Sequence, residues 1–236
     1  MKFITVESYE KLSRLAAGMI AAQVIGKENS VLGLATGSSP LGTYDCLAKA
    51  CADGDVDFSK VTTVNLDEYV GLTGDNDQSY RYFMNKNLFS RINVPMEKTN
   101  VPNGCADDVE AECKRYDKLI EDLGGIDIQL LGIGLDGHIG FNEPDEYFTA
   151  GTHAVKLDPS TIEANARFFE SIDDVPKEAV TMGMLAIMQA KKVLLIANGK
   201  NKKEILEKAF YGPITPQVPA SILQLHPDVT VIYSEK

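Results

Sequence analysis

Positive charge is scarce in this chain. Lysine and arginine total 23 against 34 aspartates and glutamates, so the formal net charge is −11 at pH 7. Non-specific nucleic-acid binding depends on neutralising phosphates, and a chain this acidic is a poor candidate for it. The sequence also lacks a cationic amphipathic segment for a membrane surface. An anionic small molecule is still allowed if a few well-placed basic side chains supply local positive charge.

Long apolar runs and metal-type cysteine spacings are missing as well. No stretch approaches the roughly 18 apolar residues of a membrane span. The N-terminal MKFITVESYE carries charges and no apolar core, so we do not expect a signal peptide. The cysteines form no C-x-x-C pair, which favours free thiols in a reducing compartment; they are Cys46, Cys51, Cys105 and Cys113. We therefore expect a cytoplasmic protein without nucleic-acid or membrane partners.

Short apolar runs alternate with helical patterns along the 236 residues. The runs are mostly β-branched, as is typical of parallel strands covered on both faces. They are VLGLA (31–35), VTTVNL (61–66), IDIQLLGIG (126–134), KVLLIA (192–197) and VTVIY (229–233). This alternation predicts an α/β fold in which one doubly wound, Rossmann-like parallel sheet is flanked by helices.

No linker divides residues 1–236, so we expect a single domain. The irregular segment 141–160 is expected to be a loop or lid over a site. In a doubly wound sheet, ligands bind at the carboxyl ends of the strands. The residues that carry chemistry should therefore follow strands directly.

The first two predicted strands are each followed by polar residues. After the first come Thr36, Gly37, Ser38 and Ser39, followed by Pro40 and a helix from about Leu41. The backbone N–H groups, hydroxyls and helix N-terminus of this TGSSP turn suit a phosphate or carboxylate, but an ordinary helix start is equally compatible. After the second strand, Asp67 and Glu68 are candidates for a base, a metal ligand or a helix cap.

The third strand leads into LGIGLDGHIGFNEP (131–144), which combines four glycines with Asp136, His138 and Glu143. The glycines allow sharp backbone turns. Imidazole exchanges a proton near neutral pH, and adjacent carboxylates fix its tautomer and raise its pKa. The run holds no serine or cysteine nucleophile and only one histidine, so neither triad hydrolysis nor a metal site is favoured. The alternative is a single hydrogen-bonded loop histidine.

Two basic residues stand out. Arg167 lies in EANARFFES, and Lys202 lies at the start of a helix in NGKNKKE. A cation at a helix N-terminus opposes the macrodipole, and this local conflict suggests that Lys202 meets an anion. Of the other histidines, His226 is expected to be structural, whereas either role is open to His153 in the presumed lid.

Together these segments resemble the glucosamine-6-phosphate deaminases of the glucosamine/galactosamine-6-phosphate isomerase family. The matching segments cover nearly the whole chain in order: LATGSSPLGTY (34–44), VNLDEYVGL (64–72), SYRYFMNKNLF (79–89), LGIGLDGHIGFNEP (131–144), ANARFF (164–169), Gly199 to Lys202 and SILQLHPDV (221–229). The 6-phosphogluconolactonases resemble the TGSSP and DGH parts too, but they are expected to lack the F-N-E-P ending.

The resemblance implies isomerising deamination of glucosamine 6-phosphate to fructose 6-phosphate and ammonia, with no redox cofactor and no catalytic metal. It assigns Asp67 as the base that takes a proton from carbon 2 and returns one to carbon 1. It assigns ring opening to His138, held and polarised by Asp136 and Glu143. The phosphate-binding residues that it implies are Thr36, Gly37, Ser38, Ser39, Arg167 and Lys202.

The chain departs from the larger allosteric members of that family. Those carry arginine and lysine just beyond the NEP motif and an extended C-terminus, whereas this sequence reads TAGTHAVK (149–156) and ends at Lys236. It is similar to the short form, for which we expect a monomer or small homo-oligomer without activation by an amino-sugar phosphate. A lactone hydrolase on the same scaffold and a non-catalytic sugar-phosphate sensor are the alternative functions.

Overall fold

The computed structural model describes residues 1–157, 162, 171 and 175–236. Its helices and strands, in chain order, are β1 (Lys2–Val6), α1 (Tyr9–Gly26), β2 (Val31–Leu34), α2 (Leu41–Ala52), β3 (Thr62–Asn65), β4 (Asp67–Tyr69), α3 (Tyr80–Asn87), β5 (Thr99–Asn100), α4 (Val109–Asp122), β6 (Ile128–Leu131), β7 (His153–Lys156), β8 (Glu178–Thr181), α5 (Met184–Gln189), β9 (Val193–Asn198), α6 (Lys203–Tyr211) and β10 (Val229–Ser234).

The main sheet has seven strands in the order β1-β10-β9-β6-β2-β3-β5, and every pair is parallel. This confirms the predicted parallel sheet, and its five inner strands are the five predicted from apolar runs. The edge strands β1 and β5 were not predicted. Strand β1 is half exposed and β5 has only two residues, so neither forms the continuous apolar run of a buried strand.

Helices cover both faces of the main sheet, as a doubly wound fold requires. On one face, Leu12 of α1, Tyr44 of α2 and Met84 of α3 pack in one buried cluster. On the other face, Tyr116 of α4 and Phe210 of α6 belong to a second cluster. Alternate side chains of the central strands enter the two clusters, which explains why those strands are apolar at nearly every position.

A second, three-stranded antiparallel sheet in the order β4-β8-β7 was not predicted. Its strands have three or four residues, and β7 alternates exposed and half-buried positions, so no apolar run marks them. Thr181 of β8 pairs with both Asp67 and His153. The segment expected to be an irregular loop thus contains strand β7, while its role as a lid stays a prediction.

Four adjacent strands of the main sheet lead into the predicted site residues. In the order β9-β6-β2-β3 they precede Lys202, His138, the TGSSP turn and Asp67 respectively. Since these strands are parallel, their carboxyl ends lie along one edge of the sheet. The expectation that the chemical residues follow strands therefore agrees with the fold.

Two further sequence predictions concern the cysteines and the absence of a membrane span. All four cysteines are free thiols, as their spacing indicated. Within residues 1–157 and 175–236, no helix has both the length and the apolar character needed to cross a bilayer.

The opposite, amino-terminal edge of the sheet is held by a buried carboxylate. Asp127 lies just before β6, and its side chain is 2% exposed. It accepts hydrogen bonds from Lys27 Nζ (2.7 and 2.9 Å), Lys191 Nζ (2.7 Å) and the Val31 backbone N–H (2.8 Å). Burial alone would raise the pKa of Asp127, but these donors outweigh it and hold the pKa below its ordinary value.

Replacing Asp127 by asparagine is expected to lower the free energy of unfolding at neutral pH by about 2 kcal/mol, because two ammonium groups lose a charged acceptor. Chemical denaturation measures the loss. The control Asp53→Asn, in an exposed pair with Lys49, should have no measurable effect. Because the pKa of Asp127 is depressed, the difference between wild type and variant should vanish as pH falls through that pKa. Equal stability of the variant and wild type at pH 7 would contradict this role.

Candidate active site

The imidazole of His138 lies between two carboxylates. Its Nδ1 is 2.8 Å from Asp136 Oδ1 and 3.3 Å from Glu143 Oε2. Neither oxygen meets the angular requirement for a hydrogen bond to Nδ1, so these are ion-pair contacts. The backbone N–H of His138 also donates to Asp136 Oδ1 at 3.1 Å. With Nδ1 facing the acids, Nε2 is the ring nitrogen available to a ligand.

Gly134 makes room for this arrangement. A Cβ at position 134 would lie 2.3 Å from His138 Nδ1 and 2.6 Å from Asp136 Oδ1, closer than atoms can approach. The residue is therefore glycine because of space. By contrast, Gly137 and Gly140 have positive φ angles of 95° and 61°, which glycine adopts readily. The sequence analysis assigned all four glycines of the run to turns, and for Gly134 the structure gives a different reason.

The two carboxylates keep His138 charged at neutral pH. Burial alone would lower its pKa, but Asp136 and Glu143 outweigh burial and raise the pKa to about 9. The same pairing, against the effect of burial, holds the pKa of Asp136 well below its usual range. His138 is thus an imidazolium that has a proton on Nε2 to donate.

Asp67 lies next to the loop that carries His138. Its side chain is buried. Gly140, a residue of that loop, lies beside the Asp67 carboxylate. A Cβ at position 140 would lie 3.4 Å from Asp67 Oδ2 and 3.0 Å from Thr181 Oγ1. Any larger residue at position 140 would press on the carboxylate and on its neighbour in β8. The structure therefore brings Asp67 and the His138 loop together, as the resemblance implied.

Burial raises the pKa of Asp67 to about 8, and the negative charge of Glu68 adds to the rise. The positive charge of His138 offsets part of it. Asp67 is consequently mostly protonated at neutral pH in the ligand-free protein. A cationic group brought beside it would favour the carboxylate and release the proton. The pair therefore offers an acid in His138 and a base in Asp67 that a bound cation activates.

Glu68 supplements a helix cap, one of the roles that the sequence left open for the Asp67–Glu68 pair; the N-cap of α3 itself is Ser79, whose hydroxyl accepts the Tyr82 N–H. Successive residues of a strand face opposite sides, so Asp67 points to the His138 loop and Glu68 points away from it. The Glu68 carboxylate accepts hydrogen bonds from the backbone N–H groups of Tyr80 and Arg81, the first residues of α3. The sequence could not separate the two roles because both side chains are carboxylates.

Side chains that the sequence analysis did not assign to the site anchor the loop. Asn142 Nδ2 donates to the carbonyls of Ile139 and Met182, both at 2.9 Å. The Phe141 N–H donates to Thr181 Oγ1 at 3.0 Å. These bonds fix the F-N-E-P end of the motif to β8 and so fix Glu143 beside His138. Asn142 stood in the quoted motif, but Thr181 lies in an unpredicted strand and carried no sequence signal.

Tyrosines hold the TGSSP turn. Tyr9 Oη lies 3.1 and 3.0 Å from the carbonyls of Ser38 and Ser39, and it accepts the Gly42 N–H at 2.8 Å. Tyr44 Oη donates to the Ala35 carbonyl at 2.5 Å. Helix α2 begins after Pro40 with no side-chain cap, so the hydroxyls of the turn are not used as a cap there. The turn stays a predicted phosphate site, and its tyrosine anchors carried no sequence signal.

Lys202 also contacts the segment between β6 and His138. Its Nζ donates to the Ile133 carbonyl at 2.6 Å. Burial lowers the pKa of Lys202, and the nearby charge of Asp136 opposes that shift. Lys202 ends a short 3₁₀ turn directly before α6, where an anion would also meet the helix N-terminus. Arg167, the other predicted phosphate contact, lies outside the described residues.

His226 is structural, as predicted. It is buried, its Nε2 lies 2.7 Å from the Ala190 carbonyl, and its Nδ1 accepts the Asp228 N–H at 3.1 Å. Those partners fit the tautomer in which Nε2 donates to the Ala190 carbonyl. His153, on β7, contacts the Gly151 carbonyl through Nδ1 at 3.0 Å.

One cluster in the described part of the chain has a donor set that a metal ion can use. Ligand atoms of Asp136, His138 and Glu143 lie within 4.8 Å of one another. When His138 is protonated, its ring supplies one positive charge to the two carboxylates of this cluster. The expectation that no metal and no cofactor takes part stays a prediction.

The chain is similar in sequence and fold to known proteins over nearly its whole length. The chain is 66% identical over 232 residues to a glucosamine-6-phosphate deaminase from Lachnoclostridium phytofermentans, covering 98% of both chains. Its fold matches the solved structure of a monomeric glucosamine-6-phosphate deaminase with a TM-score of 0.96 at 48% identity, covering 99% of this chain and 97% of that one.

A more distant likeness concerns the fold alone. A 6-phosphogluconolactonase from Thermotoga maritima matches with a TM-score of 0.77 at 19% identity, covering 100% of this chain and 99% of that one. The model of the family described as glucosamine-6-phosphate isomerases/6-phosphogluconolactonase matches residues 6–232. The chain therefore belongs to the glucosamine-6-phosphate isomerase/6-phosphogluconolactonase family.

Proposed function

We propose that this protein is a glucosamine-6-phosphate deaminase that converts glucosamine 6-phosphate to fructose 6-phosphate and ammonia. The observation that carries the proposal is the buried Asp67 carboxyl beside the His138 loop, whose imidazolium is held by Asp136 and Glu143. The relatives named as deaminases, including one at 66% identity, support the same activity. Lactone hydrolysis is less well supported because the lactonase relatives are near 20% identity.

His138 serves the ring-opening step. Its Nε2–H is a proton donor at neutral pH because the flanking carboxylates raise its pKa to about 9. It gives a proton to the ring oxygen as the bond between that oxygen and carbon 1 breaks, and the neutral imidazole then takes the proton of the carbon-1 hydroxyl as the aldehyde forms. Asp136 and Glu143 hold the ring in place and stabilise its positive charge before transfer.

Asp67 serves the isomerisation. The amino group of the substrate is a cation, and placing it near Asp67 lowers the pKa of that carboxyl and frees it as a base. Asp67 then takes the proton from carbon 2, and a proton of the ammonium group passes to the carbonyl oxygen, which gives an enolamine. Asp67 returns its proton to carbon 1, which leaves an imine at carbon 2. Water adds to the resulting imine at carbon 2, and ammonia leaves as the ketone forms.

The phosphate fixes the sugar relative to these groups. The TGSSP turn, Lys202 and Arg167 are the proposed contacts, with Lys202 placed at the start of α6. Binding energy at the phosphate orients carbons 1 and 2 against Asp67, which lowers the entropic part of the barrier. The protein is proposed to work as a monomer or small homo-oligomer in the cytoplasm, and one solved relative at 48% identity is described as monomeric.

The purified protein is expected to release ammonia and fructose 6-phosphate from glucosamine 6-phosphate, and to leave 6-phosphogluconolactone at its spontaneous rate of hydrolysis. Coupled assays for ammonia, fructose 6-phosphate and 6-phosphogluconate measure the three products. Lactone hydrolysis without ammonia release would instead establish the hydrolase alternative. Thermal stabilisation by the sugar phosphate with no turnover of either substrate would establish the sensor alternative.

The substitution Asp67→Asn is expected to reduce kcat by at least about a hundredfold, because a positioned general base is lost. The neutral amide keeps the size of the side chain, so glucosamine 6-phosphate should still raise the melting temperature of the variant. The surface variant Asp53→Asn provides the control and should match wild-type kcat. Near wild-type turnover by Asp67→Asn would remove Asp67 from the role of base.

The pH profile of kcat/KM for the free enzyme is expected to rise through about pH 8 as Asp67 ionises and to fall through about pH 9 as His138 loses its proton. The variant Glu143→Gln removes one of the charges that raise the pKa of His138. Its alkaline limb should therefore lie at lower pH than in the wild type, with the acid limb retained. An alkaline limb unmoved in Glu143→Gln and still present in His138→Gln would assign that proton to another group.

A further inference from the structure

The Glu68 side chain is enclosed by backbone donors. It is 2% exposed. Its Oε1 accepts the N–H groups of Tyr69 (2.9 Å) and Tyr80 (2.8 Å), and its Oε2 accepts the Arg81 N–H (2.8 Å). Two of these donors begin α3, so the carboxylate lies at the positive end of that helix. Burial raises the pKa of the Glu68 carboxyl, but the donors at both oxygens oppose that rise and favour the ionised form.

Gly104 packs closely against strand β4 and helps to fix the position of that strand. A Cβ at Gly104 would lie 1.9 Å from the Tyr69 carbonyl oxygen and 3.3 Å from Glu68 Cγ. The Gly104 carbonyl accepts the Gly71 N–H at 2.8 Å. On the helix side, the guanidinium of Arg81 donates to the side chain and carbonyl of Thr99 at 2.8 and 2.9 Å. Glu68 therefore joins two segments, strand β4 and the start of α3, each of which also has contacts of its own.

The first residue of α3, Tyr80, also makes ring contacts near the proposed base. Tyr80, whose N–H Glu68 accepts, places its ring 4.8 Å from the Tyr69 ring and stacks on Phe141 at 5.9 Å and 7°. Phe141 belongs to the loop that carries His138. The hydrogen bonds of Glu68 thus link the strand of Asp67 to helix α3, and the ring of Tyr80 contacts Phe141 of the His138 loop.

The charge of Glu68 acts on Asp67 from the next residue of the same strand. Around Asp67, the described residues present His138 from the loop after β6, Tyr44 from α2, Tyr80 from α3 and Tyr116 from α4. Only His138 is positive, and the tyrosines are neutral. The Glu68 carboxylate is therefore the negative neighbour that makes ionisation of Asp67 harder, in addition to burial.

We propose that Glu68 is a positioning residue for Asp67, which fixes strand β4 against α3 through its hydrogen bonds and makes Asp67 a stronger base through its negative charge. This role rests on the proposed function, which makes Asp67 the base. It explains why two acids stand side by side in LDEY: one meets the substrate, and the other sets the position and proton affinity of the first.

The test compares pH profiles of kcat/KM for glucosamine 6-phosphate. In Glu68→Gln, the acid limb should move to lower pH, and kcat on the plateau should fall roughly threefold to tenfold because a weaker base remains. In Glu68→Asp, which keeps the charge but shortens the reach, kcat and the melting temperature should fall while the acid limb does not move to lower pH.

Glu112→Gln is the matched control. Glu112 is also buried, and it accepts the Asn103 N–H at 2.8 Å and pairs with Arg115 on α4. Its loss should lower the melting temperature and leave the acid limb in place. A Glu68→Gln limb at the wild-type pH, or a Glu112→Gln limb displaced as far, would overturn the role.

If Glu68→Gln does not fold, the pH profile of Glu68→Asp provides the test. A shift of its acid limb to lower pH would contradict the charge effect, whereas an unmoved limb with reduced kcat supports it. These outcomes differ from failure of the proposed function, in which the wild-type protein itself would release no ammonia.

Discussion

The charged contact of His138 with Asp136 and Glu143 is the interaction on which the rest of the site depends. It keeps a proton on the imidazole at neutral pH. It also requires glycine at position 134, because a Cβ there would overlap the ring. The same positive charge partly offsets the forces that keep Asp67 protonated. The pairing supplies a proton donor, whereas burial and the charge of Glu68 keep the neighbouring Asp67 protonated. In the proposed mechanism, the cationic amino group of the substrate favours the carboxylate of Asp67, which relates the protonated state of Asp67 to an amino-sugar substrate.

Carboxylates in this protein take different roles because their surroundings differ. Asp127 faces two ammonium groups and keeps a depressed pKa at the amino-terminal edge of the sheet. Asp67 has burial and a negative neighbour, and its pKa rises to about 8. Glu68, one residue away, is satisfied by backbone N–H groups. Residue type alone therefore does not define a catalytic acid or base, whereas burial and the sign of the nearest charge do.

Sequence reasoning predicted the parts of the site that local pattern controls. The apolar runs located the central strands, and the polar residues after them fell at one edge because parallel strands end together. It missed the β4-β8-β7 sheet, since strands of three or four residues with partly polar faces carry no clear period. It also could not assign Glu68, Thr181 or Tyr9. Thr181 and Tyr9 contact residues 29 to 40 positions away along the chain, so only the folded structure pairs them, and Glu68 has the same chemical group as its neighbour Asp67.

The most direct test of the account is a ¹⁵N NMR titration of the histidine side chains in the ligand-free protein. The chain has only three histidines, and substitution of each one assigns its signals. The account predicts that both ring nitrogens of His138 carry protons at pH 7, with loss of one proton near pH 9. A neutral His138 ring at pH 7, with a pKa at or below about 6.5, the value for an unperturbed histidine, would contradict the central claim.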